Sequence, residues 1–289
     1  MQAIGRIAIV GMVCATAWLA APAAERAARA QAQGPSVRSL AGRPQVTPPL
    51  SRGEAPPPSC RTPGELEHFN YPLPHTARRL DRGEPLTIVA VGSSSTSGVG
   101  ASSAAASYPS RLAVELKQRF PKHDITVLNR GVSGEETEQM IARFDSAVLA
   151  VHPDLVLWQV GTNSVLRDHP LKPHSVLLRE GIARLKAAGA DVVLIDMQFA
   201  PRVLAKPETP GMEDQIAVAA KEANVDLFNR FALMRNWYEV QHIPFDAFVA
   251  ADQLHMNDWS YACVAKVLAA AIAEAATRPT ASAAIRSGR

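Results

Sequence analysis

Three times in this chain a short apolar run ends in glycine or polar residues and then gives way to helical periodicity: Thr87–Gly92, Ile125–Leu128 and Leu155–Gly161. Two more apolar runs, Asp191–Met197 and Val225–Phe228, continue the series. Short, near-continuous apolar runs suit strands buried on both faces of a parallel sheet. Parallel neighbours cannot be joined by a tight turn and need a crossover. The crossovers are at hand, with helical patterns over Ser103–Phe120, Glu135–Val151, Pro173–Ala188, Gly211–Asn224 and Asn257–Ala276. Strand and helix alternation predicts an α/β domain around a parallel sheet of about five strands.

Open parallel sheets bind ligands at the C-terminal ends of their strands, so the junctions are where chemistry is sought. The first, T-I-V-A-V-G-S-S-S-T-S (Thr87–Ser97), places hydroxyls directly after Gly92. The Ala-rich segment behind it reads as a helix whose N-terminus would stabilise negative charge. The second, N-R-G-V-S-G-E-E (Asn129–Glu136), offers glycines whose backbone N–H groups can face a cleft. The third, W-Q-V-G-T-N-S (Trp158–Ser164), leaves the amide of Asn163 at a strand end. Further on, A-D-Q-L-H-M-N (Ala251–Asn257) sets Asp252 three residues before His255, so that a carboxylate can orient an imidazole from one turn.

In this order the four blocks resemble the SGNH hydrolases, also called the GDSL esterase/lipase family, over roughly Pro85 to Thr277. The resemblance implies a flavodoxin-like three-layer α/β/α sandwich. It implies Ser94 as nucleophile with Asp252 and His255 completing a triad. The oxyanion hole falls on the backbone N–H groups of Ser94 and Gly134 and the side chain of Asn163. No metal or organic cofactor is implied. Two positions depart from the family pattern: Ser93 stands where an acidic residue often precedes the nucleophile, and Ser164 where an aspartate often follows the asparagine.

Each residue also has a plainer reading. Asp252 can serve as the N-cap of the following helix. Gly131 and Gly134 can be ordinary loop glycines, and Asn163 a turn residue. The other seven histidines read as surface or structural, with His169 and His174 close enough to Asn163 to reach a substrate.

The N-terminus reads as an export signal over residues 1–32. Arg6 precedes an apolar stretch, with small-residue cleavage sites after residue 23 or 32. An uncleaved anchor is the alternative, because residues 7–24 carry no charge. Residues 33–60 form a Pro-rich linker, 61–84 a lead-in and 278–289 a disordered tail. Residues 1–60 hold six Arg and two Glu, leaving 24 basic and 25 acidic residues beyond them. The basic balance therefore belongs to the leader, and nothing points to nucleic acid. Cys60 and Cys263 are the only cysteines after the signal, and in an exported chain they are candidates for a disulfide.

Half of the sixteen aromatic residues fall between Phe228 and Tyr261. Trp237, Tyr238, Phe245 and Phe248 lie just before Asp252 and are candidates for an acyl or sugar pocket, or for packing. No long apolar insertion that would form a lipase lid separates Asn163 from Asp252.

The sequence thus reads as a periplasmic or secreted serine esterase acting on a short-chain acyl ester, small or glycan-linked. The alternatives are a cell-wall or polysaccharide O-acetylesterase or acetyltransferase, and a non-catalytic envelope protein that binds carbohydrate. A membrane is involved only if the signal stays uncleaved.

Overall fold

The computed structural model describes residues 58–278. The predicted signal, most of the predicted linker and the predicted tail beyond Arg278 lie outside the described residues. Five strands form one sheet: β1 Leu86–Gly92, β2 Ile125–Gly131, β3 Leu155–Gln159, β4 Asp191–Ile195 and β5 Asp226–Phe228. Every pairing is parallel and the order is β2-β1-β3-β4-β5.

Strand side chains alternate between faces, which divides the core in two. Ile88, Ala90, Leu157, Val193 and Ile195 face the helices Tyr108–Arg119 and Asp258–Thr277. Val89, Val91, Val156, Trp158, Val192 and Leu194 face the helices Leu171–Ala187 and Thr209–Ala223. The result is the three-layer α/β/α sandwich of flavodoxin-like topology. The Asp258–Thr277 helix is long and apolar enough to span a membrane, yet it lies mostly buried against this sheet.

The order of the strands places the site. From β1 the chain moves outward to β2, then returns past β1 to β3. The connections after β1 and β3 therefore diverge and leave a crevice at the strands' C-terminal ends. Ser94 follows β1 and Asn163 follows β3, so both border that crevice.

Two predicted helices take a different form, and one stretch not predicted as helical contains helix. The helix after β1 begins at Tyr108, preceded by a 3₁₀ turn at Ala104–Ala106, and only one helical turn, Ser94–Ser97, follows the strand. No long helix is therefore aimed from the Ala-rich segment at the serine. The Glu135–Val151 pattern is a short helix, Thr137–Ala142, followed by a wide turn at Phe144–Val148 and a 3₁₀ turn at Leu149–Val151. Arg143 ends that helix by turning back to the Glu135 carboxylate and the Arg130 carbonyl. The aromatic segment before Asp252 contains a helix, Arg230–Glu239, and a helical turn, Phe245–Phe248.

The lead-in holds the opposite edge of the sheet. Asp154, Asp191 and Asp226, at the N-terminal ends of β3, β4 and β5, accept hydrogen bonds from Arg79, Thr76 and Asn70 respectively. Cys60 is joined to Cys263 by a disulfide, with Cα atoms 5.6 Å apart. Non-reducing peptide mapping should recover this pair. Replacing both cysteines by serine should cost roughly 2–5 kcal/mol in denaturant unfolding, since the bridge closes a loop of about 200 residues. Two freely alkylatable thiols in unreduced native protein would contradict the bridge.

Candidate active site

The turn after β1 is clipped to β3 by one buried amide. Gln159 Oε1 accepts from the Ser93 N–H at 2.9 Å, from Ser93 Oγ at 3.0 Å and from Thr96 Oγ1 at 3.3 Å. On the other side the turn presses on the end of β2. A Cβ at Gly131 would stand 2.2 Å from the Ser97 nitrogen, so only glycine admits the contact. Ser93 and Ser95 are buried by this packing, while Ser94 is half-exposed.

His255 reaches Ser94 from a loop between the Phe245–Phe248 turn and the last helix. Its Nε2 lies 2.8 Å from Ser94 Oγ. Its Nδ1 is hydrogen-bonded to Asp252 Oδ2, and Asp252 Oδ1 accepts from the Leu254 and His255 N–H groups, both at 3.0 Å. Burial raises the Asp252 pKa, but the bonds from the His255 ring and from the two backbone N–H groups outweigh it and hold the carboxyl below its ordinary value. An ionised Asp252 can only accept, so Nδ1 carries the proton and Nε2 is free to accept from the serine hydroxyl. A hydroxyl bonded to a base whose second nitrogen is held by a carboxylate is an arrangement that can move a proton off oxygen.

The segment after β2 is pinned from both sides. The Val132 N–H donates to the Gly92 carbonyl at 2.9 Å, and Ser133 Oγ lies 3.1 Å from Ser97 Oγ. From the β3 side, Arg167 Nη2 donates to the Gly134 carbonyl and Asn163 Nδ2 to the Glu135 carbonyl, both at 2.8 Å. Asn163 thereby keeps one amide hydrogen uncommitted. The N–H groups of Ser94 and Gly134 have no acceptor among the described residues. The structure thus brings Ser94, Gly134, Asn163, Asp252 and His255 to one edge of the sheet.

Residues 59–278 match the model of the non-GDSL lipase-like family. The chain belongs to that family. An arylesterase of Vibrio mimicus is 35% identical over 95 residues, which is 33% of this chain and 46% of the arylesterase. The match therefore spans less than half of that relative. Among solved structures, a two-domain esterase active on acetylated mannans superposes with a TM-score of 0.61 at 21% identity, over 74% of this chain and 56% of that one. An acetylxylan esterase from Geobacillus stearothermophilus gives 0.54 at 20% identity, over 63% of this chain and 91% of that one. These likenesses agree with the fold, and family membership agrees with the SGNH resemblance read from the four blocks.

Several site residues of this non-GDSL lipase-like domain carried no recognisable signal in the sequence. Gln159 and Gln198 are buried amides at strand ends. Glu136 gathers Ser164, Arg167 and His169 around its carboxylate and so locks the Gly134 segment to the Asn163 turn. Burial raises the Glu136 pKa, but the bonds from His169, Ser164 and Arg167 hold it below its usual range. His169 is thus committed to Glu136. His174 is buried, its pKa pushed down to about 4, and it pairs with Thr137.

Of the four aromatic candidates, Trp237 and Phe248 are fully buried, packed on each other and, for Trp237, on Trp259. They belong to the core and offer no face to a ligand. Tyr238 and Phe245 remain accessible and stack with centroids 4.2 Å apart. Phe245 lines a cleft of about 580 Å³ with Pro201, Asp246, Ala250 and Gln253.

Gly100 is a position at which the histidine's placement can be tested. Its φ is +89°, and a Cβ there would stand 2.4 Å from the Met256 carbonyl and 2.9 Å from His255 Cβ. Gly100→Ala should destabilise the fold by at least roughly 1–2 kcal/mol in urea unfolding, the usual cost of left-handed backbone for an L residue. Gly64→Ala, where nothing lies within 4 Å, should be near neutral. Equal effects at the two positions would contradict the close approach of the 100 loop to His255.

Proposed function

We propose that the protein is a serine esterase that hydrolyses short-chain acyl esters through an acyl-Ser94 intermediate. The observation that carries this reading is the 2.8 Å contact between Ser94 Oγ and the nitrogen of His255 that Asp252 leaves free to accept. As Ser94 Oγ attacks the ester carbonyl, His255 Nε2 takes its proton. The carbonyl oxygen becomes an oxyanion, received by the Ser94 and Gly134 N–H groups and the uncommitted hydrogen of Asn163. Collapse expels the alcohol, protonated by His255, and leaves acyl-Ser94. His255 then deprotonates a water that attacks the acyl carbon, and a second collapse returns the proton to Ser94 Oγ and releases the acid. Asp252 stays ionised throughout, orienting the ring and stabilising its charged form.

A binding module has no use for a hydroxyl, an imidazole and a carboxylate aligned in series, which disfavours the non-catalytic alternative. No observation favours acyl transfer to a sugar over transfer to water. The esterase neighbours that act on acetylated glycans support a short acyl group as substrate. So does the mixed lining of the cleft beside Asp252, where Asp246 and Gln253 among Pro201, Phe245, Val249, Ala250 and Ala251 offer a polar alcohol hydrogen-bond partners that a long hydrocarbon chain would leave unpaired. The reading as an exported protein rests on the N-terminal signal pattern, and the Cys60–Cys263 bridge fits an oxidising compartment.

An organophosphonate should label Ser94 and abolish hydrolysis of an aryl acetate, and Ser94→Ala should abolish both. Asn163→Ala should lower kcat by about 10²–10³, corresponding to about 2.7–4 kcal/mol for one lost oxyanion donor. At subsaturating substrate the rate should fall in acid, because a protonated imidazole cannot accept the serine proton. Label on another serine, or a flat profile from about pH 5 to 9 with chemistry rate-limiting, would refute the assignment.

Chain-length kinetics test the substrate class. At matched monomeric concentrations kcat/KM should fall at least about tenfold from acetyl or butyryl to palmitoyl esters, about 1.4 kcal/mol in transition-state binding. A palmitoyl preference would remove the short-acyl reading and leave the Ser94 mechanism in place.

A further inference from the structure

Between the Asn163 turn and the His255 loop lies a side chain that touches neither reacting group. Gln198 follows β4 and is completely buried. Its Oε1 accepts from Thr162 Oγ1 at 3.1 Å and from Arg230 Nη2 at 3.0 Å. Its Nε2 donates to the Leu254 carbonyl at 3.3 Å. Thr162 precedes Asn163 and Leu254 precedes His255, so a single amide spans the two halves of the site.

The orientation of that amide is not free. Arg230 is fully buried, can only donate, and is itself fixed by the Asp196 carbonyl. A flipped amide would set its NH₂ group against the guanidinium and face two carbonyl oxygens, its own and that of Leu254, towards each other. The guanidinium therefore keeps Oε1 on the Arg230 and Thr162 side and the donor on Leu254. Leu254 needs such a tether because the loop is held against backbone preference, with Gln253 at φ +60°.

From this we infer that Gln198 is a positioning residue, coupling the turn that carries Asn163 to the loop that carries His255 and setting their separation across the reacting carbonyl. The role rests on the Ser94 hydrolase reading, although the mechanical coupling itself does not. Thr162 makes no hydrogen bond to the His255 loop, yet cutting its bond to Gln198 should loosen that loop.

Two near-isosteric variants each cut one arm. Thr162→Val removes the donor to Oε1 and keeps the volume, and Thr162→Ser restores the donor. Gln198→Glu keeps the acceptors for Thr162 and Arg230 and removes the donor to Leu254. On an aryl acetate, Thr162→Val and Gln198→Glu should lower kcat about tenfold or more with KM within about threefold, while Thr162→Ser stays within about threefold of wild type in both. Hydrogen exchange at the Leu254, His255 and Met256 amides should quicken several-fold in Thr162→Val and return in Thr162→Ser.

Exchange at wild-type rates in Thr162→Val would overturn the coupling. Faster exchange with kcat unchanged, or a fall in kcat that Thr162→Ser does not rescue, would overturn the positioning role. A wild-type protein inert towards esters would count against the hydrolase reading instead, and the exchange comparison would still decide the coupling.

Discussion

The site depends on the grip that Gln159 at the end of β3 keeps on the turn that follows β1. A serine placed after a strand is useful only if its turn cannot drift. A backbone N–H and two hydroxyls converge on one buried carbonyl oxygen. Leaving such donors unpaired in the core would cost about 1–3 kcal/mol each, so the turn has little alternative to this position. Because β1 and β3 are adjacent parallel strands, the same contact fixes Ser94 relative to Asn163 before any ligand arrives. Preorganisation of this kind lets hydrogen-bond donors stabilise developing charge without reorganising at the moment of reaction.

The opposite wall of the crevice is held by a different kind of force. The His255 loop belongs to no strand, and Asp252 orders much of it from within, accepting two backbone N–H groups with one oxygen and the imidazole with the other, while the Arg202 N–H donates to the Gln253 carbonyl and Gln198 to that of Leu254. The bonds to Asp252 outweigh burial and keep the carboxylate charged, and a charged Asp252 in turn fixes the tautomer of His255. Backbone strain at Gln253, of order 1–3 kcal/mol, is offset within the same loop by the bonds that require it. One side of the site is therefore anchored to the sheet and the other is largely anchored to itself, with Gln198 spanning the two.

The sheet and the placement of the site at its C-terminal edge were legible from apolar runs ending in glycine or polar residues, because buried parallel strands leave little freedom in composition. Ser94, Gly134, Asn163, Asp252 and His255 were legible only as ordered motifs. What stayed hidden was polar and buried. Gln159 lies inside the run Leu155–Gly161 and Gln198 just beyond the run Asp191–Met197, and neither position tells from sequence that its amide is buried and bonded. The helix Arg230–Glu239 escaped for a related reason. Its buried stripe is Arg230, Leu233, Met234 and Trp237, and a charged residue at its head disguises the periodicity. The aromatics before Asp252 show the converse limit: composition marked the cluster, but only packing separates Trp237 and Phe248 in the core from Tyr238 and Phe245 at the surface.

The two edges of the sheet carry opposite demands. At the N-terminal edge, Asp154, Asp191 and Asp226 bind the lead-in, and the disulfide ties that segment to the last helix. Nothing there need move or admit a ligand, and stabilising contacts can accumulate without obstructing the crevice. At the C-terminal edge, polar groups are deliberately incomplete: one hydrogen of Asn163 and the N–H groups of Ser94 and Gly134 lack acceptors among the described residues. Unpaired donors weaken a fold unless water or a ligand meets them, and because Ser94, Gly134 and Asn163 are all partly exposed, solvent can meet these donors until a ligand replaces it. The last helix joins the two demands, since Asn257, which caps its N-terminus through the Ser260 N–H, lies two residues beyond His255, while Cys263 on the same helix carries the bridge to the lead-in. Stability gathered at one edge is in this way delivered, through a rigid helix, to the loop that most needs to be held still.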